Sequence, residues 1–237
     1  MNKNKQDLSI AFRDSINSKL VTIASDAVEL GLDTILDDGL LKDIPFVSTV
    51  ISLYKIGNSI CARHYLKKLS IFIDEIINST ADEEIEAKYK DKLMSDCKRR
   101  NKELEYVLIL IDRYIDNKKP KLLAKLYLAF LDTKISWNTF AEMSEIIDRL
   151  FVSDLNSLCE FYYHGGVIIK ENKVSIASVL RLLSVGFVEQ QTNIIWHEAG
   201  SADTQKSKSD FDYYITDFGK QFIDIFKDDI LKNKCLI

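Results

Sequence analysis

The longest glycine-free stretch of this chain runs from Asn58 to His164, and it holds a single proline, Pro120. Across all 237 residues there are only 8 glycines and 2 prolines. Usage near 7% Gly and 5% Pro would place about 28 such residues in a chain of this length. Tight turns and hairpins draw on those residues. Their scarcity therefore excludes a many-stranded sandwich or barrel and favours long helices. The same stretch leaves no room for a glycine-rich phosphate loop in the middle of the chain.

Hydrophobic periodicity fills in the helices. Leu8, Phe12, Ile16, Leu20, Ile23 and Ala27 recur every three or four residues, one face of a helix. Its second half is acidic: Asp26, Glu29, Asp33, Asp37, Asp38 and Asp43 stand against Lys42. Pro45 opens a second helix at its first turn, where a missing N–H costs little. Thr80 with Glu83 reads as a capping box before a charged helix over 81–117, striped by Ile85, Tyr89, Leu93, Cys97, Leu104, Leu108, Ile111 and Ile115. Such a stripe could pair with a partner helix. The Lys118-Lys119-Pro120-Lys121 run breaks it and starts another helix. That run reads as a solvated helix junction or a nucleic-acid contact.

From about residue 132 the texture changes. Helices are expected over 135–150, over SDLNSLCEFYYH with Ser153 or Asp154 as its cap, and over 175–184. A strand to Trp196, a polar tip over 199–210, a returning strand from Asp212 and a helix from Thr216 to about Lys232 complete the order. The segments SVLRLLSVGFVEQQ and DYYITDFGKQFIDIF carry a pattern of leucine-rich helix, Gly-Phe-Val, wing, then Thr-x-x-Gly. The pattern resembles the winged helix-turn-helix superfamily. In it Gly186 would end the third helix in a left-handed turn, Phe187 and Val188 would seed the first wing strand, and Thr216 would cap the closing helix. The expected fold is mainly α: a helical bundle over 1–131, then a small winged-helix-like α+β domain over 132–237.

Fold alone does not fix function. A DNA-reading winged helix offers basic and amide side chains from its third helix. Here Lys173, Arg181, Lys206 and Lys208 are the candidates, set among Asp203, Asp210 and Asp212. A net charge of −4 and a pI near 5.5 argue against strong phosphate binding by the whole chain. A protein-contact or packing role for this domain is the other reading.

Residues 44–62 hold one charge, Lys55, but also Pro45, Ser48, Thr49, Ser52, Asn58 and Ser59, too polar for a stable bilayer span. The run suits a buried central helix, or a helix meeting a partner or an anionic membrane surface. For the latter, Phe46, Val50, Leu53, Lys55, Ile56, Arg63 and Lys67 are the contact candidates. The segments LLKDIPFVSTVISLYKIGNSI and LLAKLYLAFLDTKISWNTFAEMSEIIDRLFVSDLNSL are similar to uncharacterised bacterial proteins, some associated with phage defence. That resemblance implies a bacterial origin and an antiviral, abortive-infection-like role. It transfers no catalytic residue.

No GxSxG or HExxH motif occurs. The cysteines Cys61, Cys97, Cys159 and Cys235 form no CxxC and read as reduced thiols. Cys159, His164 and His197 are the one weak metal or nucleophile grouping, and a helix-end histidine beside a core cysteine is its simpler reading. No metal or cofactor is expected. The N-terminus lacks the apolar core of a secretory signal, so the expected compartment is the cytoplasm, with peripheral contact at the inner membrane face. The expectation is a non-enzymatic effector or sensor that binds a protein partner or itself, with a DNA-binding regulator as the alternative.

Overall fold

The structure is a computed structural model that describes residues 10–11, 60–79, 83–164, 174–195 and 208–227. Within them the chain is mostly helical, with one two-stranded antiparallel sheet. The helices are α1 (Ile60–Ser79), α2 (Glu83–Met94), α3 (Cys97–Arg113), α4 (Lys119–Leu131), α5 (Trp137–Arg149), α6 (Val152–His164) and α7 (Ile176–Ser184). Strands β1 (Val188–Ile195) and β2 (Lys208–Ile215) and helix α8 (Asp217–Ile225) follow. No described helix is long and apolar enough to cross a membrane. Residues 1–9 and 12–59, Thr80 and residues 196–207 lie outside the described residues, so of the helix expected after Pro45 only the part from Ile60, α1, is described.

The chain divides into two compact units between Asp148 and Arg149. In the N-terminal unit α1 packs mainly on α4 and also on α3. Leu69, Phe72 and Ile73 of α1, Leu104, Val107 and Leu110 of α3, and Leu123, Leu126 and Tyr127 of α4 are fully buried. Helix α5 joins this unit through its aromatic end. Trp137 and Phe140 pack on Phe130 at ring distances of 5.3 and 5.8 Å, and Phe140 packs on Tyr127 at 5.7 Å. Trp137 and Phe140, which follow the expected 131/132 boundary, thus share an aromatic cluster with Tyr127 and Phe130, which precede it. An aromatic cluster outweighs the change in sequence texture at Asp132, because each large ring brings its own area and a favourable edge-on contact.

Two further departures have local causes. The expected single helix over 81–117 breaks at Ser95–Asp96, where Asp96 takes a left-handed conformation (φ 45°) and its side chain caps α3 by accepting from the Arg99 N–H. Asp is among the few residues that enter this region readily. The stripe is then spent inside the unit: Tyr89, Leu93, Leu104, Leu108 and Ile111 are buried, while Ile85 and Ile115 stay exposed. In the lysine run, Lys119 is buried rather than solvated. Its Nζ donates to the Asp148 carbonyl at 2.8 Å and lies 5.9 Å from the Tyr114 ring centre. Lys68 is also buried, and its Nζ donates to the carbonyls of Asp112 (2.8 Å) and Tyr114 (2.6 Å). It thereby satisfies acceptors that the end of α3 leaves open.

In the C-terminal unit α6 contacts α7, α8 and β2, and α7 contacts β1. The strands pair from Val188↔Ile215 to Ile195↔Lys208. Phe187, Phe222 and Phe226 are fully buried and pack in series as tilted rings at 4.8 and 4.9 Å. Gly186 adopts φ 77°, which glycine enters without a Cβ penalty. Thr216 caps α8, accepting from the Gly219 N–H at 3.0 Å and donating to the Gly186 carbonyl at 2.7 Å. Both residues do what the sequence pattern predicts of them.

Candidate functional site

Helix α7 begins at the cap Ser175, whose hydroxyl accepts from the Ser178 N–H. Its sequence, IASVLRLLS, is aliphatic on several sides. Packing decides which side is inside: Val179 and Leu182 are fully buried, and Ser178 is 4% exposed. Ile176 and Leu180, one turn apart, each remain 53% exposed. Leu180 thus stands on the surface although it lies within a leucine-rich run. Its neighbour Leu182 takes the core position, because residues three apart, 179 and 182, share the inward face.

The only charged residue of α7 is Arg181. Its guanidinium faces Asp154 of α6 with two of its three nitrogens engaged: Nε donates to Oδ2 at 2.8 Å and Nη2 to Oδ1 at 2.7 Å. Asp154 is completely buried and takes two more donors, the Ser178 hydroxyl at 2.6 Å and the Phe151 N–H at 2.9 Å. The last bond is the backward half of a capping box, so Asp154 serves the first turn of α6 and α7 together. Burial by itself pushes the Asp154 carboxyl up. Bonds from Arg181, Ser178 and the Phe151 N–H outweigh burial and hold it below its ordinary value, so it is an ionised anchor. Arg181 is held correspondingly above its ordinary value by the Asp154 hydrogen bonds. Its guanidinium also covers the ring of Phe151 at 5.0 Å, and Phe151 is 62% exposed.

This places the expected nucleic-acid residues differently from one another. Arg181 cannot reach a base edge without giving up a bidentate pair to a buried carboxylate, which would strand that charge. Lys208 opens β2, and Lys173 and Lys206 lie outside the described residues. Of the membrane- or partner-contact set, Phe46, Val50, Leu53, Lys55 and Ile56 lie outside the described residues, while Arg63 and Lys67 stand half-buried on α1. Cys159 is buried in α6 and His164 is exposed at its end, with Nδ1 3.4 Å from Glu160. Among the described residues no three potential metal ligands come together.

No local sequence signal marks this anchor. Asp154 and Arg181 lie 27 residues apart, and only the α6–α7 packing brings them together. Comparison with known proteins finds no matching family model, no matching curated protein and no matching solved structure.

Proposed function

We propose that the chain is a non-enzymatic effector or sensor whose C-terminal unit is a winged-helix-like module for binding a protein partner. The order helix, helix, antiparallel hairpin, helix supports the module, as do the left-handed Gly186 and the Thr216 cap. One observation carries the choice of partner. The helix that reads bases in DNA-binding members of such folds presents Ile176 and Leu180 outward, and its one cation is held by Asp154. An exposed aliphatic pair gains from covering by another apolar surface, at about 25 cal/mol per Å2 buried. It gains nothing from a phosphate backbone. In this reading the apolar 44–62 segment is a second contact, to a partner or a membrane surface.

A gel shift on random duplex DNA at low salt separates the readings. The expected result is weak binding that Arg181→Ala does not change. Tight, salt-dependent binding lost in Lys206→Ala with Lys208→Ala would favour the DNA-binding regulator. For the 44–62 segment, liposome flotation with Val50→Asp and Ile56→Asp is the direct test. Flotation abolished by these changes is expected at a membrane surface, and unaltered behaviour confines the segment to protein contacts.

A further inference from the structure

We propose that a cleft at the start of α3 binds a nucleotide, with the phosphates on Lys98 and Lys102 and the base against Trp137. The cleft has a volume of about 450 Å3 and is lined by Asp96, Lys98, Arg99, Lys102, Glu103 and Trp137. That volume falls in the range of small-molecule sites.

Its charges are unequally occupied. Glu103 is buried and has both oxygens engaged, by Arg99 Nε at 2.9 Å and Arg100 Nη1 at 2.5 Å. Asp96 is turned to the helix end, where its side chain accepts from the Arg99 N–H at 3.4 Å. Lys98 and Lys102 are exposed, lie one turn apart on one helix face, and have no carboxylate partner among the described residues. Among the described residues, the three cations that line the cleft (Lys98, Arg99, Lys102) thus meet two carboxylates that are already used. Their position is unfavourable for a helix on its own, since cations belong at the opposite end of the dipole. An anion between the two lysines removes that penalty. The amides of Arg99 and Arg100 are bonded to the Asp96 carbonyl at 2.9 and 3.0 Å, so side chains rather than the helix end would hold the anion.

The opposite wall is aromatic. Trp137 is half-buried, held on its inner side by Phe140 at 5.1 Å, Phe130 at 5.3 Å and Tyr106 at 5.6 Å. Its indole N–H has no hydrogen-bond partner among the described residues. A ring fixed on one side and open on the other suits stacking with a base, and sites that pair phosphate cations with such rings bind nucleotides through both. Bulk anions would use the lysines alone and leave the indole idle. The proposal is for binding only; no group in the cleft is placed to cleave a phosphate bond.

The test uses the full chain, with Trp196→Phe leaving Trp137 as the sole indole, titrated with ADP, GDP, adenosine and inorganic pyrophosphate. Saturable quenching by ADP or GDP is expected, with adenosine and pyrophosphate each binding at least about tenfold more weakly, a difference of 1.4 kcal/mol. Lys98→Ala with Lys102→Ala should weaken ADP or GDP by a similar factor while the thermal melt of the unliganded chain is not lowered. Calorimetry on the unaltered chain, and on Trp137→Phe, repeats the measurement without relying on fluorescence. Absence of binding at millimolar ADP and GDP would overturn the proposal. So would pyrophosphate binding as tightly as ADP, undiminished affinity in the double lysine variant, or binding of a single-stranded oligonucleotide without mononucleotide binding.

Discussion

Asp154 shows how one buried charge can decide the use of a whole helix. It takes four hydrogen bonds, two of them from Arg181. Removing the carboxylate strands Ser178 and the guanidinium together. Breaking a buried pair costs about 3–5 kcal/mol, and the partly exposed Arg181 can recover some of this from water. Asp154→Ala should therefore lower the unfolding free energy of the C-terminal unit by about 2–3 kcal/mol in urea denaturation. A loss below about 0.5 kcal/mol, the ordinary range for surface changes, would show that the network contributes little.

Asp132 makes a second, acid-sensitive anchor. Burial pushes its carboxyl up, but Tyr89, Lys88 and Lys92 all donate to it and bring it down to about 2 from 3.8. A depressed carboxyl stabilises the fold fully above its unfolded value and loses that contribution as pH falls through the folded one. The N-terminal unit should thus lose stability between about pH 3.8 and 2. Asp132→Asn should flatten that part of the acid-unfolding curve; an unchanged slope would remove the anchor from the explanation.

At the level of elements, the junction of β1, β2 and α8 leaves no room for a side chain at Gly219. A Cβ on Gly219 would stand 2.4 Å from the Phe187 carbonyl oxygen and 2.9 Å from Ile215 Cγ1. Helix propensity would favour alanine there by about 1 kcal/mol. The contact is with backbone and cannot yield cheaply, so the clash wins. Gly219→Ala should cost about 1–3 kcal/mol. Gly186 has open space around it, and its alanine variant should lose only the left-handed penalty, about 1–2 kcal/mol. Crystal structures or backbone amide shifts of the two variants separate the cases: Gly219→Ala should displace the strand-to-helix junction, and Gly186→Ala should not.

For the whole molecule, the sequence is most legible where local chemistry decides. The glycine-free middle is helical, Gly186 turns left-handed, and Thr216 caps α8, as a few neighbouring residues dictate. It is least legible where distant residues decide. The break at Asp96 has neither glycine nor proline to announce it. Leu180 and Leu182 are the same residue type, and only the position of α6 and the hairpin assigns one outside and the other inside. The Asp154–Arg181 pair and the Trp137 cleft are products of packing in the same way.

That arrangement leads to one measurement above others. A photo-crosslinking residue at position 180 of the full chain, activated in the cell of origin, reports directly on what meets the exposed face of α7. The expected result is a discrete protein adduct that disappears when Ile176→Asp is added, with the fold of the variant intact by circular dichroism. Adducts to DNA, or no adduct at all, would contradict a protein-contact role for this helix.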